Sequence, residues 1–379
     1  MELINIFFTK EPTSKEKYIA LPNTIEPRVI LPIVNKRAFE KGFEIHNTSS
    51  PSNKLFKRIA ISFYFLLPHI SSKILYPTQK LFELLEEIKY NINQKNINSN
   101  SVYVGTKNSA NQKLTFQLMD SSCNIIGYVK LADNNLSASY IKNEFDVLNK
   151  ITNYTLANII YPQKLKYFSF DTYTILFLEN IFEDSIYAGY EINQLNYNVS
   201  LEIAEKTKTY ENLQEYYEDK KVEIKKLPLE LNLIEWIIEN TEVLRENAVP
   251  NVFMHGDYVP YNMKTKNDKL ALIDWEYATE VGLPLFDLFT FVYQGGYQIF
   301  NIKVERLVNK ILNQSNNNYS YFKKYLNKLN INEKMIRPLL IIYLAESLLL
   351  YLKRRSAPDI ENNQYRGGLK YLMHISNKA

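Results

Sequence analysis

The spacing of apolar positions changes near residue 180, from short strand-like runs to helical periodicity. Short apolar runs at 102–105, 114–118, 125–131 and 174–178 are separated by polar turns, which is typical of β-strands. Between the third and fourth runs, residues 138–151 carry Ile141, Phe145 and Leu148 at helical spacing. The pattern therefore predicts a small sheet-rich lobe with one helix.

After residue 180 the apolar spacing becomes mostly helical. Leu233, Trp236 and Leu244 share one stripe of a predicted helix over 233–245. A polar hairpin over 263–273, with its turn at residues 267 and 268, interrupts the helical part. Further helices are predicted at 285–300, 303–313, 319–329, 333–354 and 360–374.

The first hundred residues carry weaker patterns. Short apolar runs and scattered prolines over 1–75 predict short strands and turns, and residues 81–90 have helical periodicity. The polar stretch 91–101 is a plausible boundary. Residues 1–100 form an N-terminal extension of unknown role, which is an added domain, a cap on the next lobe or a partner surface. Residues 101–180 and 181–379 form the other two predicted parts.

Composition and charge narrow the class of protein. A chain of 379 residues is long enough for two or three substructures with sizeable cores. Hydrophobic and charged contents of 46% and 23% are ordinary for a globular protein, and a net charge of only +4 gives no case for a nucleic-acid binder. The single cysteine, Cys123, excludes an intrachain disulfide and fits a reducing compartment.

Two apolar runs are too short to be expected to span a membrane. Residues 59–67 are far fewer than the roughly 18–20 needed to span a bilayer. Residues 339–352 are also few, and Glu346 interrupts them. The start of the chain has no basic region before an apolar run, so no signal peptide is expected. We expect no transmembrane segment and a cytoplasmic location.

The chemistry concentrates in residues 255–262, HGDYVPYN, and 273–276, IDWE. A base aspartate, an asparagine five positions later and an aspartate beyond a short hairpin form the pattern of a phosphoryl-transfer site. Asp257 is the candidate base, because a carboxylate on a rigid loop can accept a hydroxyl proton. Asn262 and Asp274 offer hard oxygen ligands, which suit Mg²⁺. His255 is interpreted as a structural hydrogen-bonding residue, since Asp257 already fills the role of base.

At these motifs the chain resembles the aminoglycoside phosphotransferase and choline kinase family. The resemblance covers roughly residues 100–379 and implies an α+β, two-lobed protein-kinase-like fold, with a small antiparallel-sheet N-lobe and a mostly helical C-lobe. It implies ATP or GTP with Mg²⁺ as cofactors, an alcohol group as phosphate acceptor, and a structural role for Asp287. The wording HGDYVPYN is also similar to phosphotransferase-like proteins of bacterial polysaccharide gene clusters.

The family resemblance also implies a nucleotide site in the N-lobe. Lys130, flanked by apolar residues on a predicted strand, would reach the α- and β-phosphates, and Glu144 on the following helix is its expected partner. Lys142 is the alternative if the register differs. The turn 106–112 contains no glycine, but its backbone amides and the Ser109 hydroxyl would hold phosphates. Adenine would lie near the linker 178–181, which includes Glu179 and Asn180.

The acceptor pocket is expected between the Asp257 loop and the C-terminal helices. For each of its candidates, a surface or core role is the favoured interpretation, because charged and aromatic residues are common in helical lobes. The acidic candidates, which would bind a cationic acceptor, are Glu276, Glu280 and Glu346. The aromatic candidates, which would stack on a sugar ring or face a quaternary amine, are Tyr258, Tyr261 and Tyr277.

Three functional hypotheses follow. The first is a small-molecule kinase, with a sugar or sugar-linked acceptor favoured over choline or an aminoglycoside. The second is a catalytically silent kinase-like binding or scaffolding protein, although retention of base, metal aspartate and lysine favours activity. The third is a membrane-surface factor of polysaccharide assembly, docking through residues 1–75, where Lys54, Lys57 and Arg58 precede an apolar run. The sequence leaves the oligomeric state open.

Overall fold

The computed structural model describes residues 2–45, 51–62, 64, 71–105, 112–355 and 357–378 of the chain. These residues form two compact units. The first comprises Met1–Asn149 and Pro162–Glu183, and the second comprises Lys150–Tyr161 and Asp184–Ala379. A strand-rich unit followed by a mostly helical one confirms the predicted α+β class.

Fifteen strands occur in the described residues. In chain order they are β1 (Phe8–Thr9), β2 (Tyr18–Leu21), β3 (Val29–Pro32), β4 (Ile74–Pro77), β5 (Ser99–Val104), β6 (Leu114–Met119), β7 (Ile125–Ala132), β8 (Ile159–Ile160), β9 (Leu165–Phe170), β10 (Tyr173–Glu179), β11 (Ile186–Tyr187), β12 (Val252–Met254), β13 (Met263–Lys266), β14 (Lys269–Leu272) and β15 (Thr279–Gly282).

The α-helices of the described residues, again in chain order, are α1 (Glu2–Phe7), α2 (Lys36–Gly42), α3 (Pro51–Ser62), α4 (Gln79–Asn91), α5 (Asn135–Ile151), α6 (Gln194–Thr207), α7 (Leu213–Lys225), α8 (Leu231–Glu246), α9 (Phe286–Phe289), α10 (Gly295–Phe300), α11 (Val304–Leu312), α12 (Asn317–Lys328), α13 (Ile336–Arg354) and α14 (Gln364–Ser376).

One antiparallel sheet organises the first unit. Within the described ranges its strands run in the order β1-β4-β2-β3-β5-β6-β7-β10-β9. β3 pairs with β5 through Val29↔Tyr103 and Ile30↔Val102, so strands from the first hundred residues continue the sheet predicted from residue 102 onward. The boundary predicted at residue 100 lies inside β5, and residues 1–100 belong to the same compact unit.

The alternation of side chains explains how this sheet is covered on both faces. In β2, Tyr18 and Ala20 join one apolar cluster with α4, while Ile19 and Leu21 join another with α2. The apolar face of α4 contributes Leu81 to the first cluster. The first hundred residues therefore supply helices to both faces of the sheet. The helical periodicity of residues 81–90 predicts α4, but the sequence patterns did not indicate that both faces would be covered.

The helical core of the second unit is centred on α13. The segment Glu333–Arg354 is the one helix in the described part of the chain that is long and apolar enough to cross a membrane, and 56% of its apolar window is buried. α13 packs against α8 and α14, and Leu339, Leu340 and Leu344 are fully buried there. This packing is that of a core helix.

The predicted helix over 285–300 is interrupted in the structure. α9 ends at Phe289, a π-helical turn occupies Thr290–Gln294, and α10 begins at Gly295. A π-helical turn widens the helix by one residue per turn and is common at functional sites. Its consequence here is the placement of Gln294, which is described below.

Candidate active site

The loop after β12 is shaped by a glycine and a neighbouring main chain. Gly256 has φ +77, a left-handed conformation that side chains disfavour. A Cβ built on Gly256 would lie 2.2 Å from the carbonyl oxygen of Tyr277, so no larger residue fits. The sequence His-Gly-Asp therefore folds into a tight turn that presents Asp257 beside the segment that follows Trp275.

His255 is a structural residue of this loop. Its imidazole is fully buried and lies 4.5 Å, centroid to centroid, from the ring of Trp275. Nδ1 accepts a hydrogen bond from the backbone N–H of Asp257 at 3.2 Å, and Nε2 lies 3.0 Å from the carbonyl oxygen of Ile273. With Nδ1 accepting, Nε2 carries the proton and donates to Ile273. The imidazole thus ties the loop to the end of β14.

Asp287 fixes the same loop from the opposite direction. Its carboxylate accepts hydrogen bonds from the backbone N–H groups of His255, at 2.9 Å, and Gly256, at 3.1 Å. Burial raises the pKa of Asp287 to about 6, although the two backbone bonds act in the opposite direction. This arrangement agrees with the structural role that the family resemblance implies for Asp287.

Two side-chain amides hold the carboxylate of Asp257. Asn262 Nδ2 donates to Oδ2 at 2.8 Å, and Gln294 Nε2 donates to Oδ1 at 2.9 Å. The hydroxyl of Tyr365 donates in turn to Gln294 Oε1 at 3.1 Å. Because each carboxylate oxygen has a fixed donor, rotation of the carboxylate about its Cβ–Cγ bond is restricted. The carboxylate of Asp257 is therefore held in a fixed orientation.

The environment of Asp257 tunes its basicity. Burial, followed by the negative charge of Asp274, raises the pKa of Asp257 to about 6, while the positive charge of Arg354 acts in the opposite direction. A base is most effective when its pKa lies near the working pH. The carboxylate is thus ionised near neutral pH and basic enough to accept a proton.

Asn262 and Asp274 are brought together by the hairpin of β13 and β14. Met263 pairs with Leu272, and the backbone N–H of Ile273 donates to the Asn262 carbonyl at 3.0 Å. Asp274 follows in a left-handed conformation, φ 67, which is uncommon for a residue with a side chain and clusters at functional sites. Asn262 Nδ2 donates to the carbonyl and the carboxylate of Asp257, so the amide oxygen is the atom of this side chain that could bind a metal.

Lys130 and Glu144 form a buried ion pair in the first unit. Lys130 lies on β7 opposite Leu176 of β10, and Glu144 lies on α5. Lys130 Nζ is 2.5 Å from Glu144 Oε2, and the side chains are 9% and 0% exposed. The predicted strand and helix thus bring together the two residues that were expected to pair. Lys142 instead bonds Asp146 on the exposed surface of α5.

The remaining nucleotide-site candidates are placed less directly. Ser109 lies outside the described residues. Glu179 ends β10, and its Oε1 accepts hydrogen bonds from the backbone N–H groups of Gln163 and Lys164. Asn180 Oδ1 accepts from the backbone N–H of Phe182 at 3.0 Å. The side chains of Glu179 and Asn180 therefore shape the linker.

Two acceptor-site predictions need correction. Tyr258 is fully buried, and its hydroxyl donates to the carbonyl of Asn196 at 3.0 Å, so it is a core residue that no acceptor can stack on. Glu346 accepts a hydrogen bond from Tyr216 and lies 3.8 Å from Lys220 Nζ, which satisfies its charge within the helical core. Its burial raises the pKa of Glu346 above the usual range.

The other acceptor-site candidates remain near the catalytic loop. Glu276 is 5% exposed. Tyr261 follows Pro260 in the loop and donates its hydroxyl to Gln298 Oε1 at 2.9 Å. Glu280 is exposed and forms an ion pair with Lys150. The ring of Tyr277 is covered by the guanidinium of Arg354, whose Cζ lies 3.1 Å from the ring centroid.

Sequence reasoning missed three residues of this region, namely Gln294, Tyr365 and Arg354. They lie on the π-helical turn, α14 and the last turn of α13, far along the chain from Asp257. A polar residue next to the Gly295-Gly296 pair inside an otherwise apolar helix was the one available signal. Their proximity to the base is a product of tertiary packing.

A family model matches the part of the chain that carries the predicted motifs. Residues 195–313 match the family model described as "Phosphotransferase enzyme family". This range contains Asp257, Asn262, Asp274, Asp287 and Gln294, so the predicted resemblance is confirmed over residues 195–313. No curated protein sequence matches the chain.

Several solved structures are similar to the chain. One is aminoglycoside phosphotransferase APH(4)-Ia in a ternary complex with ADP and hygromycin B, with 12% identity, a TM-score of 0.49, and coverage of 78% of this chain and 98% of that one. Aminoglycoside 2'-phosphotransferase-IIIa with GDP has 11% identity, a TM-score of 0.48, and coverage of 79% and 99%. Choline kinase LicA from Streptococcus pneumoniae has 15% identity, a TM-score of 0.44, and coverage of 77% and 99%.

Proposed function

We propose that this protein is a magnesium-dependent phosphotransferase that moves the γ-phosphoryl group of ATP, or of GTP, to a hydroxyl of a small molecule. The observation that carries the proposal is the carboxylate of Asp257, held by amide donors on both oxygens within a region that matches the phosphotransferase enzyme family. Phosphoryl transfer needs this kind of positioned base more than it needs covalent chemistry from the protein.

The donor set fits a magnesium ion. The amide oxygen of Asn262 and the carboxylate of Asp274 are hard oxygen ligands, and the hairpin holds their backbones together. Bound there, the metal would neutralise charge on the nucleotide phosphates. In the first unit, the Lys130 ammonium, fixed by Glu144, is the proposed phosphate contact. We also propose that the protein is cytoplasmic, and the family resemblance supports this location.

The proposed reaction assigns one chemical task to Asp257. The acceptor oxygen forms a bond to the γ-phosphorus while the bond from that phosphorus to the bridging oxygen breaks, which releases the nucleoside diphosphate. The hydroxyl proton goes to the carboxylate of Asp257. Gln294 and Asn262 keep that carboxylate oriented, and Asp287 and His255 hold the loop that carries it.

The test is release of ADP coupled to phosphorylation of an acceptor panel of sugars, amino alcohols and aminoglycosides. We expect Asp257→Asn to lower kcat by ~10²–10⁴-fold, because general base catalysis contributes about that much. Nucleotide affinity should stay close to that of the parent. Asp268→Asn, in the exposed turn between β13 and β14, is the matched control and should have no effect.

Metal dependence supplies a second arm of the same experiment. Chelation of Mg²⁺, or Asp274→Ala, should abolish turnover, whereas Asp257→Asn should leave metal-dependent nucleotide binding intact. Parental turnover by the Asp257→Asn variant would contradict the assignment of the base. Nucleotide binding with no turnover by the parent, across the whole panel, would favour a silent binding protein instead.

A further inference from the structure

Arg354 lies near the Asp257 loop but belongs to neither of the motifs at residues 255–262 and 273–276. It is the last residue of α13, and its guanidinium covers the ring of Tyr277 with Cζ 3.1 Å from the centroid. The main chain of Tyr277 is packed against Gly256, the residue before the base. A cation stacked on an aromatic face is held in a fixed plane. Arg354 therefore presents an oriented guanidinium beside the Asp257 loop.

Hydrogen bonding of this guanidinium is incomplete. Nε and Nη2 of Arg354 are buried and have no hydrogen-bond partner among the residues that the structure describes. Arg245, Arg337 and Arg366 also have a buried Nε in this state, but each has a terminal nitrogen bonded to a neighbour. In the described part of the chain, only Arg354 has a terminal guanidinium nitrogen buried in this way. Such a donor is costly unless a ligand completes it.

Arg354 supplies a positive charge near the carboxylate of Asp257. Its positive charge acts on both Asp257 and Tyr365, whose pKa values it lowers against the effect of burial. Of the three acidic residues expected to attract a cationic acceptor, Glu346 lies against Lys220 and Glu280 pairs with Lys150, while Glu276 is buried. The planar fork of an arginine matches a carboxylate or a phosphate, which can accept two parallel hydrogen bonds.

We propose that Arg354 binds an anionic group of the acceptor, so that the acceptor is a small molecule carrying a phosphate or a carboxylate in addition to its hydroxyl. The inference rests on the proposed phosphotransferase function and names the substrate class of that same site. Sugar phosphates and sugar acids fit this class, whereas choline and aminoglycosides, which are cations, do not. Arg354 is an acceptor-binding residue and takes no part in proton transfer.

The first test measures anion binding without turnover. Protein saturated with Mg²⁺ and AMP-PNP, which fills the γ-phosphate position, is titrated with sodium sulfate against sodium chloride at equal ionic strength, and Tm is recorded. Sulfate stabilises proteins generally by exclusion from their surfaces, so the specific effect is the difference between variants. We expect the sulfate shift in Tm to be smaller in Arg354→Met than in the parent. An equal shift in both proteins would overturn the proposal.

A matched variant and a fold control accompany this titration. Arg355→Met changes the neighbouring exposed arginine, which lies 5.8 Å from the ring of Tyr351, and should behave as the parent does. Without sulfate, Arg354→Met should have a Tm equal to or above that of the parent, because it removes buried donors that have no protein partner. A lower Tm with an unchanged sulfate shift would show that Arg354 is structural and would refute its role in binding.

The second test compares acceptors that differ only in charge. Glucose is paired with glucose 6-phosphate and with glucuronate, and choline and kanamycin are the cationic members. We expect higher kcat/KM for anionic members, and a ~10–100-fold loss on those members alone in Arg354→Met, which is the usual effect of one charge-assisted hydrogen bond. A preference for cationic members, or a raised KM for ATP with unchanged acceptor selectivity, would overturn the proposal.

The two tests separate this inference from the proposed function. If the parent binds sulfate through Arg354 but turns over no nucleotide, the phosphotransferase proposal fails and the anion site stands. If the parent phosphorylates a neutral or cationic acceptor and Arg354→Met changes nothing, the anion site fails and the phosphotransferase proposal stands. Should none of the sugars be phosphorylated, the sulfate titration alone decides the role of Arg354.

Discussion

The amide of Gln294 is the sharpest point at which to test how the base is oriented. Gln294→Leu preserves most of the side-chain volume and removes the donor that lies 2.9 Å from Asp257 Oδ1. Asn262 still holds Oδ2 at 2.8 Å, so the carboxylate keeps one anchor and gains freedom to rotate. We expect slower proton transfer with little change in the binding of the nucleotide.

The size of the effect follows from the kind of bond that is lost. A hydrogen bond to a charged group contributes ~1.5–3 kcal/mol, and if that contribution is needed in the transition state, kcat falls ~10–100-fold. Tyr365→Phe removes the hydroxyl that donates to Gln294 Oε1 at 3.1 Å. That bond is between neutral groups and is worth ~0.5–1.5 kcal/mol, so this variant should lose ~2–10-fold.

The assay is steady-state ADP release, using the best acceptor from the panel, with Tm measured for each variant. Gln298→Leu is the matched control, because Gln298 lies one turn further on α10 and bonds Tyr261 instead of Asp257. The Gln294→Leu and Tyr365→Phe effects should be less than additive when combined, since Tyr365 acts through Gln294. Parental kcat in a folded Gln294→Leu protein would refute the idea that this amide orients the base.

Two further predictions concern the loop and the buried ion pair. Gly256→Ala should lower the free energy of unfolding by ~3 kcal/mol or more in urea, because its Cβ would collide with the Tyr277 carbonyl at 2.2 Å. Gly189→Ala, at φ +89 with nothing within 4 Å, should cost only ~1–2 kcal/mol, and equal losses would contradict the steric argument. Lys130→Met should raise KM for ATP and lower the free energy of unfolding by ~3–5 kcal/mol, and adding Glu144→Gln should recover part of the stability but none of the nucleotide affinity.

Local geometry explains why the catalytic motif was predictable. Asp257, Asn262 and Asp274 belong to one loop and the hairpin that follows it, and the backbone bond from Ile273 to Asn262 closes that hairpin. Their spacing along the chain therefore determines their spacing in space. The pairing of Lys130 with Glu144 was instead predicted from the family resemblance, with Lys130 on a strand and Glu144 on the following helix, and the structure contains this ion pair.

Residues placed by tertiary packing were not predictable in this way. Gln294 reaches Asp257 because a π-helical turn shifts its direction, and helical periodicity over 285–300 gives no sign of that turn. Tyr258 was expected to face the acceptor, but the packing of Asn196 above it makes it a core residue. In the first hundred residues, β2 to β4 are short, and their assignment as strands depends on pairing with neighbouring strands in the sheet.

Asp257 and Asp287 are two buried carboxylates with similarly raised pKa values but different hydrogen-bond donors. Burial raises the pKa of each to about 6. The donors to Asp287 are the backbone N–H groups of His255 and Gly256, so its carboxylate holds the backbone conformation of the loop. The donors to Asp257 are neutral side-chain amides, which fix the direction of its carboxylate and, like the backbone bonds to Asp287, lower its pKa against the effect of burial. Replacing Asp287 should therefore unfold the loop, whereas replacing Gln294 should leave the loop folded and the base misaligned. These two variants therefore distinguish a structural carboxylate, Asp287, from the proposed base, Asp257.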